Sequence, residues 1–99
     1  DAMALGALSV LPADSPILVA GIDGQKEAFK AIKDGGCEGK YVSTGLNSPT
    51  LAARDGFNLA LEIATGVTAP NSDQAFVFTQ VAGIGCDNID EFYDENSAF

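Results

Sequence analysis

Two polar side chains follow the first two predicted strands and are the strongest candidates for binding chemistry. Asp23 comes directly after the apolar run of residues 16–22, and Asn47 comes directly after residues 41–46. The carboxyl ends of parallel strands lie at the edge of a sheet where α/β proteins bind their ligands. A carboxylate accepts from two neighbouring hydroxyls, and an amide both donates and accepts, so this pair suits a sugar or polyol. Each side chain also has a structural alternative, Asp23 as a helix cap and Asn47 as a turn residue.

The two cysteines, Cys37 and Cys86, are not spaced as in a zinc knuckle or a thioredoxin-type redox motif. The chain has no histidine to activate a thiol, so a catalytic cysteine is not expected either. The spacing leaves two interpretations open, two free thiols or one disulfide. A disulfide would restrict the unfolded chain by about 4 kcal/mol in the loop-entropy model and would form only in an oxidising compartment.

Composition excludes several classes of function. The 99 residues include 14 acids, 5 bases and no histidine, which gives a net charge of −9. Such an acidic chain lacks the basic surface that binds nucleic acid or anionic lipid. Without histidine there is no imidazole metal site and no Ser-His-Asp or Cys-His catalysis, so any enzyme would have to use carboxylates, lysine or cysteine. We expect no enzyme, metal or cofactor. The acidic residues after Cys86 do not follow the spacing of a calcium loop, and the G-x-G at residues 83–85 lacks a third glycine.

Alternating helix and strand patterns predict an α/β fold. In chain order the elements are a helix over residues 2–11, a strand over 16–22, a helix over 25–34, a strand over 41–46, a helix from residue 49 to about 65 and a strand over 76–81. The strand–helix–strand segment from residue 16 to residue 46 is expected to form a right-handed βαβ unit. Ser48 and Pro49 predict the start of the third helix as N-cap and first-turn proline, and Gly66 predicts its end.

The apolar patterns also predict where each element is buried. The helix over residues 2–11 is apolar on nearly all sides and should be buried on most of them. The strand over residues 16–22 is continuously apolar, which is typical of a central parallel strand covered on both faces. Each of the other two helices is amphipathic and should bury one stripe. The stripe residues are Ala28, Phe29, Ala31 and Ile32 in the second helix and Ala52, Gly56, Leu59, Ala60 and Ile63 in the third.

Several segments in register along the chain resemble the ribose-binding type of periplasmic sugar-binding proteins, the solute receptors of ABC importers. Residues 1–7 are similar to the Asp-x-Met-Ala-Leu-Gly-Ala segment of that family, and residues 17–24 to its strand ending in Gly-Phe-Asp-Gly. Residues 46–49 resemble its hinge strand, which leads into a proline-started helix. Residues 87–92 resemble its Asp-Asn-Val-Asp-x-Tyr close.

The resemblance implies a periplasmic-binding-protein-like class I fold, a three-layer α/β/α parallel sheet of which this chain is an incomplete, carboxyl-terminal part. In this family two lobes close over one sugar, whose hydroxyls bind the Asp of the Gly-x-Asp-Gly strand and a polar residue before the hinge proline. Those two positions are Asp23 and Asn47 here, whereas Asp1 resembles a helix-capping residue. Residues 1–47 and 79–99 would belong to the carboxyl-terminal lobe, and residues 48–78 to the amino-terminal lobe.

The resemblance also implies how the molecule is assembled and where it works. The last strand should run opposite to the strand over residues 41–46, which brings Cys86 near Cys37 and favours a disulfide. The implied partners are a monosaccharide or related polyol, the membrane permease of an ABC transporter and the remainder of the receptor chain. The protein would be periplasmic, with its signal peptide outside this chain. Apolar faces meant for absent elements should be exposed, so we expect weak autonomous stability and poor sugar affinity.

Two other classes of protein are alternatives. An effector-binding domain of a lactose-repressor-type transcription regulator shares the same core, although the ending at residues 87–92 and the cysteine pair fit the transport receptor better. A DNA-binding headpiece upstream would distinguish the regulator from the receptor. A fragment of an α/β hydrolase or dehydrogenase is disfavoured, because the chain lacks a nucleophile elbow, a dinucleotide loop and histidine.

Overall fold

A computed structural model describes residues 1–70 and 76–99 of the chain and has the α/β class that the alternating pattern predicts. Its helices and strands are α1 (Ala2–Val10), β1 (Val19–Asp23), α2 (Lys26–Gly35), β2 (Tyr41–Leu46), α3 (Pro49–Ala64), β3 (Gly83–Gly85) and α4 (Ile89–Phe92), and a 3₁₀ turn covers Gly36–Glu38. The predicted bounds of α2 and α3 agree with the structure to within a residue or two, and those of β2 agree at both ends.

The chain divides into two compact units. The first comprises Asp1–Asn47 and Val81–Phe99 and contains the sheet with α1, α2 and α4. The second comprises Ser48–Gln80 and contains α3. The assignment of residues to two lobes of a larger receptor stays a prediction.

The strands of the described residues form one mixed sheet in the order β1-β2-β3. β1 and β2 are parallel and α2 joins them, so the predicted strand–helix–strand unit is present. β3 runs antiparallel to β2, which is the direction expected for the last strand. The prediction of a central β1 is wrong for this chain, because no described strand pairs with its outer side and β1 lies at the edge of the sheet.

The last strand, β3, does not lie at residues 76–81, where the apolar pattern predicts it. Residues 76–82 have no regular structure, and Phe76 and Phe78 are exposed and pack edge to face. Strand-forming side chains do not make a strand unless a neighbouring strand offers them a partner. β3 forms instead around Ile84, which is fully buried. The Asn88 amide fixes this short strand by accepting from the Gly85 N–H at 2.9 Å and donating to the Gly83 carbonyl at 3.0 Å.

An irregularity in β2 determines which side chains share a face of the sheet. The pairing advances by one residue in β1, from Val19 to Ala20, but by two residues in β2, so that Val42 is an extra residue. Such a bulge interrupts the strict alternation of side chains along a strand. Tyr41 and Thr44, which are three residues apart, consequently lie on the same face, and both are buried.

One hydrophobic core joins the sheet to the helices of the first unit. The predicted stripe of α2 is confirmed, since three of its residues are buried and Ala31 packs partly buried against them. The core residues are Val19, Ala28, Phe29, Ile32, Tyr41, Ile84 and Ile89. Ile89 connects the acidic carboxyl-terminal segment to this core.

Three predictions of burial are wrong. α1 has no buried residue, and Met3 is 91% exposed. β1 is not covered on both faces, because exposed residues alternate along it with buried or half-buried ones and Ile22 is 66% exposed. The predicted stripe of α3 is at most half-buried. An apolar pattern shows which face can be buried, whereas burial itself needs packing partners, and within the described residues α1 packs only partly against the core, through Ala4, Leu5 and Leu8.

Local signals determine the ends of α3. The Ser48 hydroxyl accepts a hydrogen bond from the Leu51 N–H at 3.4 Å, and Pro49 occupies the first turn, where no N–H is needed. Gly66 follows the helix with a φ of 77°, a backbone conformation that suits glycine. Neither α3 nor any other helix within residues 1–70 and 76–99 is long and apolar enough to cross a membrane.

Candidate functional site

The structure brings the two predicted ligand-binding side chains together at the carboxyl ends of β1 and β2. The Asn47 N–H donates to the Asp23 carbonyl at 3.2 Å, and the Asn47 side-chain Nδ2 lies 3.4 Å from the Asp23 Oδ1. The Asp23 side chain is 44% exposed, and Asn47 is exposed. Whether the pair binds a ligand stays a prediction, but a carboxylate and an amide do face solvent side by side at the expected edge.

The alternative role of Asp23 as a helix cap does not agree with the contacts. Gln25, not Asp23, occupies the N-cap position of α2, and no side chain caps that helix. Ser48, not Asn47, caps α3. The side-chain hydrogen bond of Asn47 runs to Asp23 across the two strand ends. Neither residue therefore caps a helix with its side chain.

The backbone at Asp23 is strained. Its φ is 117°, and it is the one non-glycine residue with positive φ among residues 1–70 and 76–99. Gly24 follows with a φ of 71°. Positive φ costs a residue with a Cβ free energy, and such strain persists where the surroundings impose it, often at functional sites.

Directly beneath this turn lies the carboxylate of Asp1, whose side chain is completely buried. One oxygen, Oδ2, accepts from the Gln25 N–H at 2.7 Å. The other, Oδ1, accepts from the Tyr41 hydroxyl at 2.6 Å and from the Thr44 hydroxyl at 2.7 Å. Asp1 occupies the N-cap position of α1, and its carbonyl accepts from the Leu5 N–H at 2.8 Å, but its side chain makes no capping hydrogen bond to the helix. Its oxygens are already taken by these three donors from α2 and β2.

Space for this carboxylate comes from a glycine. A Cβ added to Gly21 would overlap the Asp1 Oδ1 and the Tyr41 hydroxyl. Gly21 pairs with Thr44 across the parallel strands, so their side chains lie on the same face. The bulge at Val42 brings Tyr41 onto that face as well. The bare backbone of Gly21 therefore allows three polar groups to meet there.

The Tyr41 hydroxyl is held in its protonated, donating form. Burial raises the pKa of Tyr41, and the nearby negative charge of Asp23 raises it further. A neutral phenol beside the carboxylate can donate a hydrogen bond, whereas a phenolate would repel it. The hydroxyl therefore acts as a donor to Asp1 at neutral pH.

Sequence reasoning missed Asp1, Tyr41 and Thr44 as members of this cluster. The hydroxyl side chains of the predicted strand, at Tyr41, Ser43 and Thr44, were the available signal. The contact itself could not be inferred, since it depends on the extra residue Val42. Among the described residues, no group of three or more acidic or cysteine side chains is arranged to hold a metal ion.

The predicted disulfide between Cys37 and Cys86 is present. The two Cα atoms lie 5.2 Å apart, within the usual range for a disulfide. The bond joins the 3₁₀ turn after α2 to the residue that follows β3. It therefore closes the end of the sheet opposite to the carboxyl ends of β1 and β2, since β3 is antiparallel to β2.

An open apolar groove runs along the outer edge of β1 and ends at the candidate site. Its volume is about 850 Å³. It is lined by Asp1, Met3, Ala4, Ala7 and residues 17–23. Ile17 and Leu18 are more than half exposed in it. The groove is continuous with the predicted binding edge at Asp23.

No protein-family model matches the chain, and no curated protein matches it.

Proposed function

We propose that these 99 residues are the carboxyl-terminal part of a sugar- or polyol-binding receptor of an ABC import system. The proposed whole molecule has the class I periplasmic-binding-protein fold, with a three-layer α/β/α parallel sheet in each of two lobes. Asp23 and Asn47 bind ligand hydroxyls from the carboxyl-terminal lobe. Other contacts come from the remainder of the receptor, and the membrane permease takes up the released sugar.

The observation that carries the proposal is the conformation of Asp23. An aspartate at a φ of 117° costs about 1–3 kcal/mol, whereas its solvent-exposed carboxylate gains an ion pair with the Asp1 nitrogen at 3.7 Å, worth about 0–1 kcal/mol, so stability alone does not explain it. The strained residue lies at the end of a parallel strand, where α/β proteins bind ligands. A binding role for its exposed carboxylate explains why an aspartate stands there.

The pairing of Asp23 with Asn47 suits exchange with a ligand. Their side chains are 3.4 Å apart, which is long for a hydrogen bond and makes the contact weak. A sugar hydroxyl can donate to the Asp23 carboxylate while a neighbouring hydroxyl accepts from the Asn47 amide. Two adjacent hydroxyls of one ring would thus replace the weak Asp23–Asn47 contact by two stronger hydrogen bonds. The bond to the Asp23 carboxylate would be charge-assisted.

Two further features support the periplasmic setting and the larger receptor. The Cys37–Cys86 disulfide is compatible with an oxidising compartment. Large apolar side chains are exposed in both units, among them Ile17, Ile22 and Phe57. Apolar surface of this kind is typical of faces that pack against other elements.

The test is sugar binding by the chain and by one isosteric variant. Saturation-transfer NMR with millimolar D-ribose, D-galactose, D-xylose and myo-inositol should detect at least one binder. In Asp23→Asn the residue keeps its size and its tolerance of positive φ but loses its charge. Its affinity for that binder should fall about tenfold or more, because a hydrogen bond to a charged group is removed.

Asp14→Asn is the matched control, because Asp14 is an exposed acid of the same unit outside the candidate site. It should bind the sugar as the wild type does. The absence of any binder in the panel, or equal affinity for wild type and Asp23→Asn, would contradict the proposal.

A further inference from the structure

Asp1 contacts both sides of the strained residue Asp23. Its backbone nitrogen donates to the Ile22 carbonyl at 2.6 Å, and its carboxylate accepts from the Gln25 N–H at 2.7 Å. Ile22 and Gln25, which flank the Asp23–Gly24 turn, are thus both hydrogen-bonded to Asp1. The Asp1 side chain is completely buried, so its carboxylate is shielded from water, whereas the bond from its nitrogen to Ile22 is exposed.

Thr44 extends the same network to the middle of the turn. The Gly24 N–H donates to the Thr44 Oγ1 at 3.3 Å, and the Thr44 hydroxyl donates to the Asp1 Oδ1 at 2.7 Å. One hydroxyl therefore uses both its acceptor and its donor capacity between Gly24 and Asp1. Both amides that follow Asp23 are anchored, one directly and one through Thr44.

We propose that Asp1 is a positioning residue of the ligand site, which holds the Asp23–Gly24 turn at positive φ so that the Asp23 carboxylate faces the ligand. This role rests on the proposed function. Relaxation of Asp23 to an ordinary negative φ would reorient the next peptide groups and break the hydrogen bonds of Gly24 and Gln25. The buried carboxylate supplies the free energy that opposes this relaxation, since bonds to a charged acceptor are the stronger ones.

The variant Asp1→Asn separates this role from helix capping. Asparagine caps a helix about as well as aspartate, so a cap would survive the change. The amide, however, has one acceptor oxygen and a donating NH₂ group, and it cannot accept from Gln25, Tyr41 and Thr44 together. The substitution therefore weakens the turn without removing the cap position.

The first measurement needs no sugar. In Asp1→Asn, amide hydrogen exchange of Gly24 and Gln25 should become at least about tenfold faster than in the wild type. The three-bond HN–Hα coupling of Asp23 reports φ, and it should move toward the value of an extended residue with negative φ. Thr44→Val, which breaks only the link between Gly24 and Asp1, should shift the same coupling in the same direction and serves if Asp1→Asn does not fold. Asp14→Asn should leave both readouts unchanged.

The second measurement is the affinity for the sugar that the wild type binds best among the four named above. Asp1→Asn should bind it about tenfold more weakly or worse, although Asp23 and Asn47 are intact. A wild type that binds none of the sugars overturns the proposed function, and this result does not depend on any Asp1 variant. Unchanged coupling and exchange in Asp1→Asn, or a changed turn with unchanged affinity, overturns the role of Asp1.

Discussion

Asp23 combines an exposed carboxylate with a backbone φ of 117°. Glycine would adopt that conformation without a steric penalty, so the aspartate is retained at a cost in stability. The turn is hydrogen-bonded to the side chains of Asp1 and Thr44, the latter through the Gly24 N–H. The proposed binding role therefore explains why the strained position carries an aspartate.

Replacing Asp23 by glycine should make the protein more stable and less able to bind. Relief of positive-φ strain is worth about 1–3 kcal/mol, and the flexibility of glycine costs about 0.5–1 kcal/mol, so a net gain of about 1 kcal/mol is expected. Urea unfolding followed by circular dichroism measures the change. Asp14→Gly, at a residue outside the set with positive φ, should instead lose stability. A less stable Asp23→Gly would show that the strain is not relieved.

Gly21 in β1 and Gly45 in β2 are both glycines within paired strands, so their alanine substitutions can be compared directly. The Cβ of Gly21→Ala would overlap the Asp1 carboxylate and the Tyr41 hydroxyl, so a loss of about 3 kcal/mol or more is expected. The Cβ of Gly45→Ala would meet only Ile22, with its nearest atom at an ordinary 3.7 Å. That change should be neutral or stabilise by up to about 1 kcal/mol. Equal unfolding midpoints for the two variants would argue against the buried cluster at Gly21.

At the scale of elements, the sequence predicts those whose signals are local. α2 has one apolar stripe and a glycine after its last turn, and α3 begins with Ser48 and Pro49, so the bounds of both are close to the predicted ones. Burial is predicted less well, because it depends on what packs against a face. β1 and α1 have the apolar composition of buried elements, yet Ile22 and Met3 are exposed.

The candidate site was predictable only in part, for the same reason. Asp23 and Asn47 stand at strand ends, which the apolar runs of the sequence define. The cluster beneath them depends on an extra residue, Val42, that aligns Tyr41 with Thr44. No hydropathy pattern indicates such a bulge, because it is a property of the pairing between two strands.

The disulfide links elements that are far apart in the chain, and its removal should destabilise the first unit strongly. The bond spans 49 residues, which corresponds to about 4 kcal/mol in the loop-entropy model. For so small a unit this loss is comparable to the whole free energy of unfolding. The double variant Cys37→Ser/Cys86→Ser should therefore unfold at much lower urea than the oxidised wild type.

A reductant supplies the control for that experiment. It should lower the midpoint of the wild type to that of the double variant and leave the double variant unchanged, since the chain contains only these two cysteines. A wild type whose midpoint is insensitive to reduction would contradict the stabilising role of the bond.

At the scale of the whole molecule, exposed apolar surface and high negative charge act in opposite directions. The edge of β1 and the faces of α1 and α3 leave large apolar side chains exposed, which favours association. The net charge of −9 disfavours it through repulsion between copies. The proposed receptor resolves this conflict, because its remaining elements would cover the apolar faces and leave the charged ones in water.

The most direct test of the binding role follows the amide signals of the ¹⁵N-labelled, oxidised chain while D-ribose, D-galactose, D-xylose or myo-inositol is added. The amides of Asp23, Gly24 and Asn47 should shift progressively with at least one of the sugars, and they should shift more than those lining the rest of the groove. Shifts confined to residues 17–20 would contradict a sugar site at the ends of β1 and β2. The absence of shifts with each sugar at tens of millimolar, about the weakest affinity that a specific site would have, would contradict it as well.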